Sequence, residues 1–126
     1  EQYNINQKLG RQTEKTFIAQ LLHGAKTRSK QKGFEFSLTV KFITDLLHKI
    51  DYKCQITGQQ MNLNSFSKKD KNPFKVSLDR IDSAKGYTEG NVQLTCWAVN
   101  LMKNTFDEED FKFWIDTIHK AISSQA

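Results

Sequence analysis

The sequence predicts an α+β fold: two helices, a pair of short strands running into a third helix, and a C-terminal helix. Three observations support this. Apolar residues recur at helical spacing through the first fifty positions. Two later runs alternate apolar and polar residues with the period of half-buried strands. A Gly-containing turn, Lys85-Gly86-Tyr87-Thr88-Glu89-Gly90, separates those two runs.

Residues 1–11 are polar and read as an irregular lead-in. Thr13 to Lys32 reads as a helix, with Phe17, Ile18, Leu21, Leu22 and Ala25 on one face and Gly33 as its stop. Its far end carries Lys26, Arg28, Lys30 and Lys32, spread around the helix, where they either follow a phosphate backbone or keep the surface wet. Phe34-Glu35-Phe36 is a short extended piece. A second helix is expected from about Thr39 to Ile50, with Ile43, Leu46, Leu47 and Ile50 facing the core. Cys54 to Gly58 looks like a short strand entering a tight turn. Asn62 to Pro73 is polar and reads as an exposed loop whose Lys68, Lys69 and Lys71 are placed to touch nucleic acid. Phe74, Val76 and Leu78 alternate with Lys75, Ser77 and Asp79, and Val92, Leu94 and Cys96 alternate in the same way. A helix should start near Trp97. Thr105 followed by Glu108 is a capping-box pattern. It opens a last helix with Phe106, Phe111, Trp114, Ile115, Ile118 and Ile122 as its core side.

The 126 residues suffice for one domain with a modest core, and no internal repeat or domain boundary is visible. Within that single domain a basic helical part covers about 12–53, a strand–strand–helix core about 54–104, and the last helix about 105–122. No apolar run approaches the roughly 20 residues of a membrane span, and no signal peptide is apparent. Two cysteines, Cys54 and Cys96, in a Lys-rich chain do not make a secreted disulfide scaffold. The expected compartment is reducing: cytoplasmic, bacterial or phage-like. The net charge of +5 lies wholly in residues 1–53, with ten Lys+Arg against five Asp+Glu; residues 54–126 hold nine of each. Such a basic half suggests a polyanionic partner.

The densest chemistry lies between Ser77 and Lys103. Asp79 ends one strand, and Asn100 lies at the start of the helix after the next. That order can bring a carboxylate and an amide oxygen to one divalent cation, with cationic groups beside it, as phosphodiester cleavage requires. Asp79-Arg80, Gly86, Asn91, Asn100 and Lys103 at these spacings resemble the HNH endonucleases, also called ββα-metal nucleases. The likeness spans about residues 26–104. It includes the knuckle-like Cys54-Gln55-Ile56-Thr57-Gly58 and the basic helix ahead of it. Two departures stand out. Thr57 and Val99 occupy places where the family's zinc knuckles carry their second cysteines, so no structural zinc is expected. Arg80 occupies the place of the family's general-base His, and a guanidinium accepts no proton near neutral pH.

The resemblance implies a DNA endonuclease with a ββα-metal core, two preceding helices and a C-terminal helix. Asp79 and Asn100 would hold Mg²⁺, with Mn²⁺ as a substitute, because the donors are oxygens. Arg80 would clamp the scissile phosphate. Asn91 would brace the loop beside the site, and Lys103 would contact a phosphate. Lys26, Arg28, Lys30 and Lys32 would follow the backbone. The base must come from elsewhere: His48 ranks first for its titration range, with Tyr87, Glu35 and Tyr52 after it. The alternative is a non-catalytic nucleic-acid-binding module on the same fold. DNA is the expected partner, with RNA open, and a homodimer follows if both strands are cut.

Overall fold

The computed structural model describes residues 11–63 and 72–125, so the lead-in before Arg11 and Lys68, Lys69 and Lys71 lie outside the described residues. Helix α1 spans Arg11–Lys32 and helix α2 Val40–Lys49. Strand β1 is Val76–Arg80 and strand β2 Val92–Cys96. Helix α3 follows without a break at Trp97–Lys103, and α4 is Glu108–Ser123. The fold is therefore α+β, with an antiparallel two-stranded sheet in which Val76 faces Cys96 and Arg80 faces Val92.

The helical period of α1 does what its apolar spacing predicts: Ile18, Leu22 and Ala25 are buried, with Phe17 and Leu21 at the margin. Gly33 ends it in the left-handed region at φ 74°, and the Phe34 amide reaches back to the Ser29 carbonyl. That is the geometry a glycine supplies without steric cost. Thr39 caps α2 by accepting from the Phe42 amide, and Ile43 and Leu47 bury its inner face. Both helices share one core with the sheet through Val76, Leu78, Val92 and Leu94.

Four sequence expectations are corrected. Cys54 to Gly58 is not a strand. It is a turn, closed by the Gly58 amide on the Cys54 carbonyl and the Cys54 amide on the Gln59 carbonyl. The Asn62–Pro73 segment is not uniformly exposed: Asn62 and Leu63 are half-buried, and Asn72 is buried and donates to Asn62, which itself pairs with Lys75 beside β1. On α4 the cap is Asp107, whose side chain accepts from the Asp110 amide, and not Thr105. Only Phe111 of the expected core side is buried and Ile115 half-buried; Phe106, Trp114, Ile118 and Ile122 are exposed. The helix packs mainly on α3, near its own start, so its apolar stripe continues past the core.

The turn between the strands lies close against the segment after α1. Tyr87 and Glu35 are joined by the Tyr87 amide on the Glu35 carbonyl, and Phe36 bridges Tyr87 in parallel. A Cβ on Gly86 would fall 2.3 Å from the Glu35 carbonyl oxygen and 2.7 Å from its nitrogen. Backbone cannot yield as a side chain can. Gly86→Ala is therefore expected to cost about 1–3 kcal/mol, an overpacking penalty, measured by urea unfolding. A variant as stable as the parent would mean that the two segments do not touch.

Candidate active site

A cavity of about 540 Å³ runs beside β1. It is lined by consecutive residues from Lys75 to Arg80, by Leu21 and Arg28 of α1, by Ser83 and Tyr87 of the turn, and by Trp97, Asn100, Leu101 and Asn104 around α3. Successive strand residues point to opposite faces, so a cavity touching every one of them follows the strand's edge.

Alternation along β1 sends Asp79 toward α3. Its carboxylate is 3% exposed and is gripped from two sides. Lys103 Nζ lies 3.3 Å from Oδ1, and Gln93 Nε2 donates to Oδ2 at 2.9 Å from the facing position on β2. Gln93 also reaches Glu108 at the start of α4. Lys103 is fully buried and additionally donates to the Arg80 carbonyl at 3.4 Å. The sequence expectation put Lys103 on a phosphate. With no exposed surface it is instead the internal counter-ion of Asp79, since a buried Lys persists only when paired.

Asn100 is oriented by its amide nitrogen, which donates to Ser77 Oγ at 2.7 Å and to the Leu78 carbonyl at 3.1 Å. A carbonyl only accepts, so the nitrogen must face Leu78. The amide oxygen is then turned away from the strand. Asp79 and Asn100 thus supply two oxygen donors on one cavity wall. No cluster of three or more His, Cys, Asp or Glu side chains occurs among the described residues. This donor set fits Mg²⁺, which keeps several waters and takes one or two carboxylates plus phosphate oxygens, and not a cation that needs an all-protein cage.

Arg80, the next residue, lies on the other side of the strand. Its Nη1 donates to the carbonyls of Ser83 and Lys85, each at 2.9 Å, which fixes the guanidinium across the turn. Its plane lies over Phe34, 4.4 Å from the ring centroid, and over Tyr87 at 5.2 Å. Two of five N–H donors are used in this way, which leaves Nε and Nη2 for an anion. Arg28 approaches Tyr87 from α1: its guanidinium carbon is 6.0 Å from the ring centroid, and Nε donates to the phenolic oxygen at 3.4 Å. Tyr87 is buried, with both guanidinium groups close to its ring.

Asn91 holds the turn itself. Its side chain accepts from the Asp82 amide at 2.9 Å and donates to the carbonyls of Asp82 at 3.0 Å and Gly86 at 2.8 Å. It therefore shapes the loop that carries Ser83 and Tyr87.

The structure does not bring the other base candidates to this cavity. His48 Nε2 lies 3.0 Å from Glu14 Oε2, and Tyr52 bonds the other oxygen of Glu14. That cluster ties α2 to the start of α1. The Glu35 side chain is exposed and does not line the cavity. His23 and His119 are exposed on their helices.

Of the basic set, Lys26, Arg28, Lys30 and Lys32 are all exposed, but they do not form one stripe. At about 100° per residue, Arg28 and Lys32 share the cavity's flank of α1 and Lys26 and Lys30 share the opposite flank. Asn104 is a site residue that the sequence motif does not include. It lines the cavity one turn beyond Asn100, in the left-handed region at φ 50°. The available signal was the Asn100-x-x-x-Asn104 spacing, which brings Asn104 one turn on, to the end of α3.

The overall fold is similar to that of a solved structure, the rare-cutting HNH restriction endonuclease PacI. The TM-score is 0.59 at 18% sequence identity, over 86% of this chain and 80% of that one. No protein-family model and no curated protein matches the chain. At that identity the likeness shows a shared HNH-like fold. No helix among the described residues is long and apolar enough to cross a membrane.

Proposed function

We propose that the chain is a metal-dependent DNA endonuclease whose reaction takes place in the cavity along β1. The observation that carries this reading is the meeting, on one cavity, of the Asp79–Asn100 oxygen pair with the Arg80 guanidinium, Arg28 and Tyr87. The HNH-like fold shared with a restriction endonuclease supports DNA as the substrate. Asp79 and Asn100 would hold the ion. Bound there, Mg²⁺ or Mn²⁺ would stabilise the charge that develops on the leaving 3′ oxygen. Arg80, held by two carbonyls and two rings, presents its remaining donors to a non-bridging phosphate oxygen without having to be ordered first. Lys103 and Gln93 keep the Asp79 carboxylate in one orientation. Arg28 lies beside the path of the backbone.

Tyr87 is the one base candidate from the sequence that lines the cavity, and it takes precedence over His48 for that reason. Tyr87→Phe keeps the ring beneath both guanidinium groups and removes only the hydroxyl. It is expected to lower single-turnover cleavage about 10²-fold, the low end for general-base loss. Unchanged cleavage in this variant would reduce Tyr87 to a platform.

Binding should be salt-dependent and carried by one flank of α1. Arg28→Gln with Lys32→Gln is expected to flatten the plot of log K against log salt by up to about 0.9 for each phosphate no longer neutralised. Lys26→Gln with Lys30→Gln should change it less. Equal slopes for the two double variants, read from fluorescence anisotropy with duplex DNA, would contradict the placement.

A second reading, a nucleic-acid-binding module without catalysis, is favoured by the pairing of Asp79 with Lys103. Incubation of supercoiled plasmid with Mg²⁺, with and without EDTA, separates the two. Nicking that EDTA suppresses supports the enzyme, and binding without nicking supports the module.

A further inference from the structure

The reaction proposed above uses one end of the cavity and leaves the other without a role. Helix α3 runs beside β1 in the same direction. The Trp97 amide donates to the Lys75 carbonyl at 2.8 Å, Asn100 reaches Ser77 at 2.7 Å, and Lys103 reaches Asp79 at 3.3 Å. These bonds order the cavity wall: Asp79, Arg80 and Asn100 toward the end of β1, Lys75 and Trp97 toward its start. The extended chain from Lys75 to Asp79 covers about 13 Å.

Two kinds of side chain meet at the far end. Lys75 is half-buried on the cavity wall and has no acidic partner among the described residues. With Arg28 and Arg80 it sets three cations along the cavity, against one carboxylate, Asp79, which Lys103 already neutralises. Trp97 is half-buried on the same wall, and Leu101, one helical turn further on, is 62% exposed. A phosphate gains nothing from an indole face or an isobutyl group, whereas a nucleobase gains from both. Tyr87, the other aromatic ring on the wall, is buried with two guanidinium groups close to it, so Trp97 is the ring with surface to offer. Cations that follow a backbone, with an aromatic ring among them, are the means by which proteins hold single-stranded nucleic acid.

We propose that Trp97, flanked by Leu101, is a stacking platform for an unpaired base near the scissile phosphate, so that the cavity takes DNA opened locally to single strand. The proposal rests on the reading of Asp79, Asn100 and Arg80 as the place of cleavage. A base inside a duplex has both faces stacked on its neighbours, so it meets Trp97 only where the strand is opened. Lys75 then holds a phosphate of the same strand, beyond the stacked base, while Arg80 holds the phosphate under attack.

The test is a fluorescence titration of the full chain carrying Trp114→Phe, in which Trp97 is the one tryptophan left. EDTA is present throughout, so binding is read without cleavage. A short oligothymidylate should quench Trp97, and so should a duplex with mismatched bases at its centre. A fully paired duplex of the same length should bind no more tightly than the single strand. Trp97→Ala should weaken single-strand binding about tenfold, read by anisotropy, and Trp97→Phe much less, because it keeps a ring. Three results would overturn the platform: no quenching by the single strand, tighter binding of the paired duplex than of the other two, or parental affinity in Trp97→Ala. Should Trp97→Ala fail to fold, the quenching in Trp114→Phe decides. Plasmid nicking without quenching would keep the enzyme and remove the platform. Quenching without nicking would keep the platform as a single-strand site and remove the enzyme.

Discussion

Replacing Lys103 by Met is expected to lower the unfolding free energy by about 3–5 kcal/mol, the cost of breaking a buried ion pair from one side. Lys103 is fully buried, and its ammonium faces the nearly buried Asp79 carboxylate at 3.3 Å. Without it, the carboxylate keeps only the Gln93 amide as a partner among the described residues. Asp79→Ala is expected to be costly too, because it strands the buried ammonium in the same way. The double variant Asp79→Leu with Lys103→Met removes both charges and is expected to recover most of the stability, since apolar replacements of buried pairs are often neutral or stabilising. Urea unfolding of the three variants checks this. A Lys103→Met protein within about 0.5 kcal/mol of the parent, the range of ordinary surface substitutions, would show that the lysine is not buried in solution.

The second large effect concerns Asn100. Asn100→Ala removes the amide oxygen facing the cavity together with two hydrogen bonds, to Ser77 and Leu78. Losing the bonds should cost about 1–2 kcal/mol of stability, less than the Lys103 effect. Losing the oxygen should lower Mg²⁺-supported nicking about 10³-fold, the upper range for removal of one electrostatic stabiliser. The distinguishing readout is the Mg²⁺ concentration that gives half-maximal rate. It should rise in Asn100→Ala if the amide oxygen holds the ion, and stay put if Asn100 only braces β1 against α3.

Periodicity made α1, α2 and the two strands legible, because each carries an unbroken apolar pattern of 3.6 or 2. Thr39 and Gly33 mark their helix ends through chemistry local to the chain. The cap of α4 was harder to place. Asp107 and Thr105 are both good cap residues, and only the conformation at Asn104 and the turn after it decides which meets the first free amide. The exposure of Trp114, Ile118 and Ile122 was also hidden, since an amphipathic pattern does not say whether a partner surface lies alongside. At the site, Asp79, Arg80 and Asn100 were readable as members of a spaced motif and Tyr87 as one of several base candidates; all four line one cavity. Their partners were not readable. Lys103 lies 24 positions from Asp79, and Glu14 lies 34 from His48. A sequence pattern carries no information on which distant charge will meet a given side chain. That is why Lys103 read as a phosphate ligand and His48 as a base.

The reading of this cavity as a phosphodiester-cleaving site rests most directly on single-turnover nicking of supercoiled plasmid. Parent and Asn100→Ala protein should be compared across a Mg²⁺ titration, with circular dichroism showing that both are folded. The expected result is Mg²⁺-dependent nicking by the parent, abolished by EDTA. In Asn100→Ala nicking should be nearly absent, with whatever remains needing more Mg²⁺ for its half-maximal rate. Equal nicking by the two folded proteins, or none by the parent at any Mg²⁺ or Mn²⁺ concentration, would contradict it.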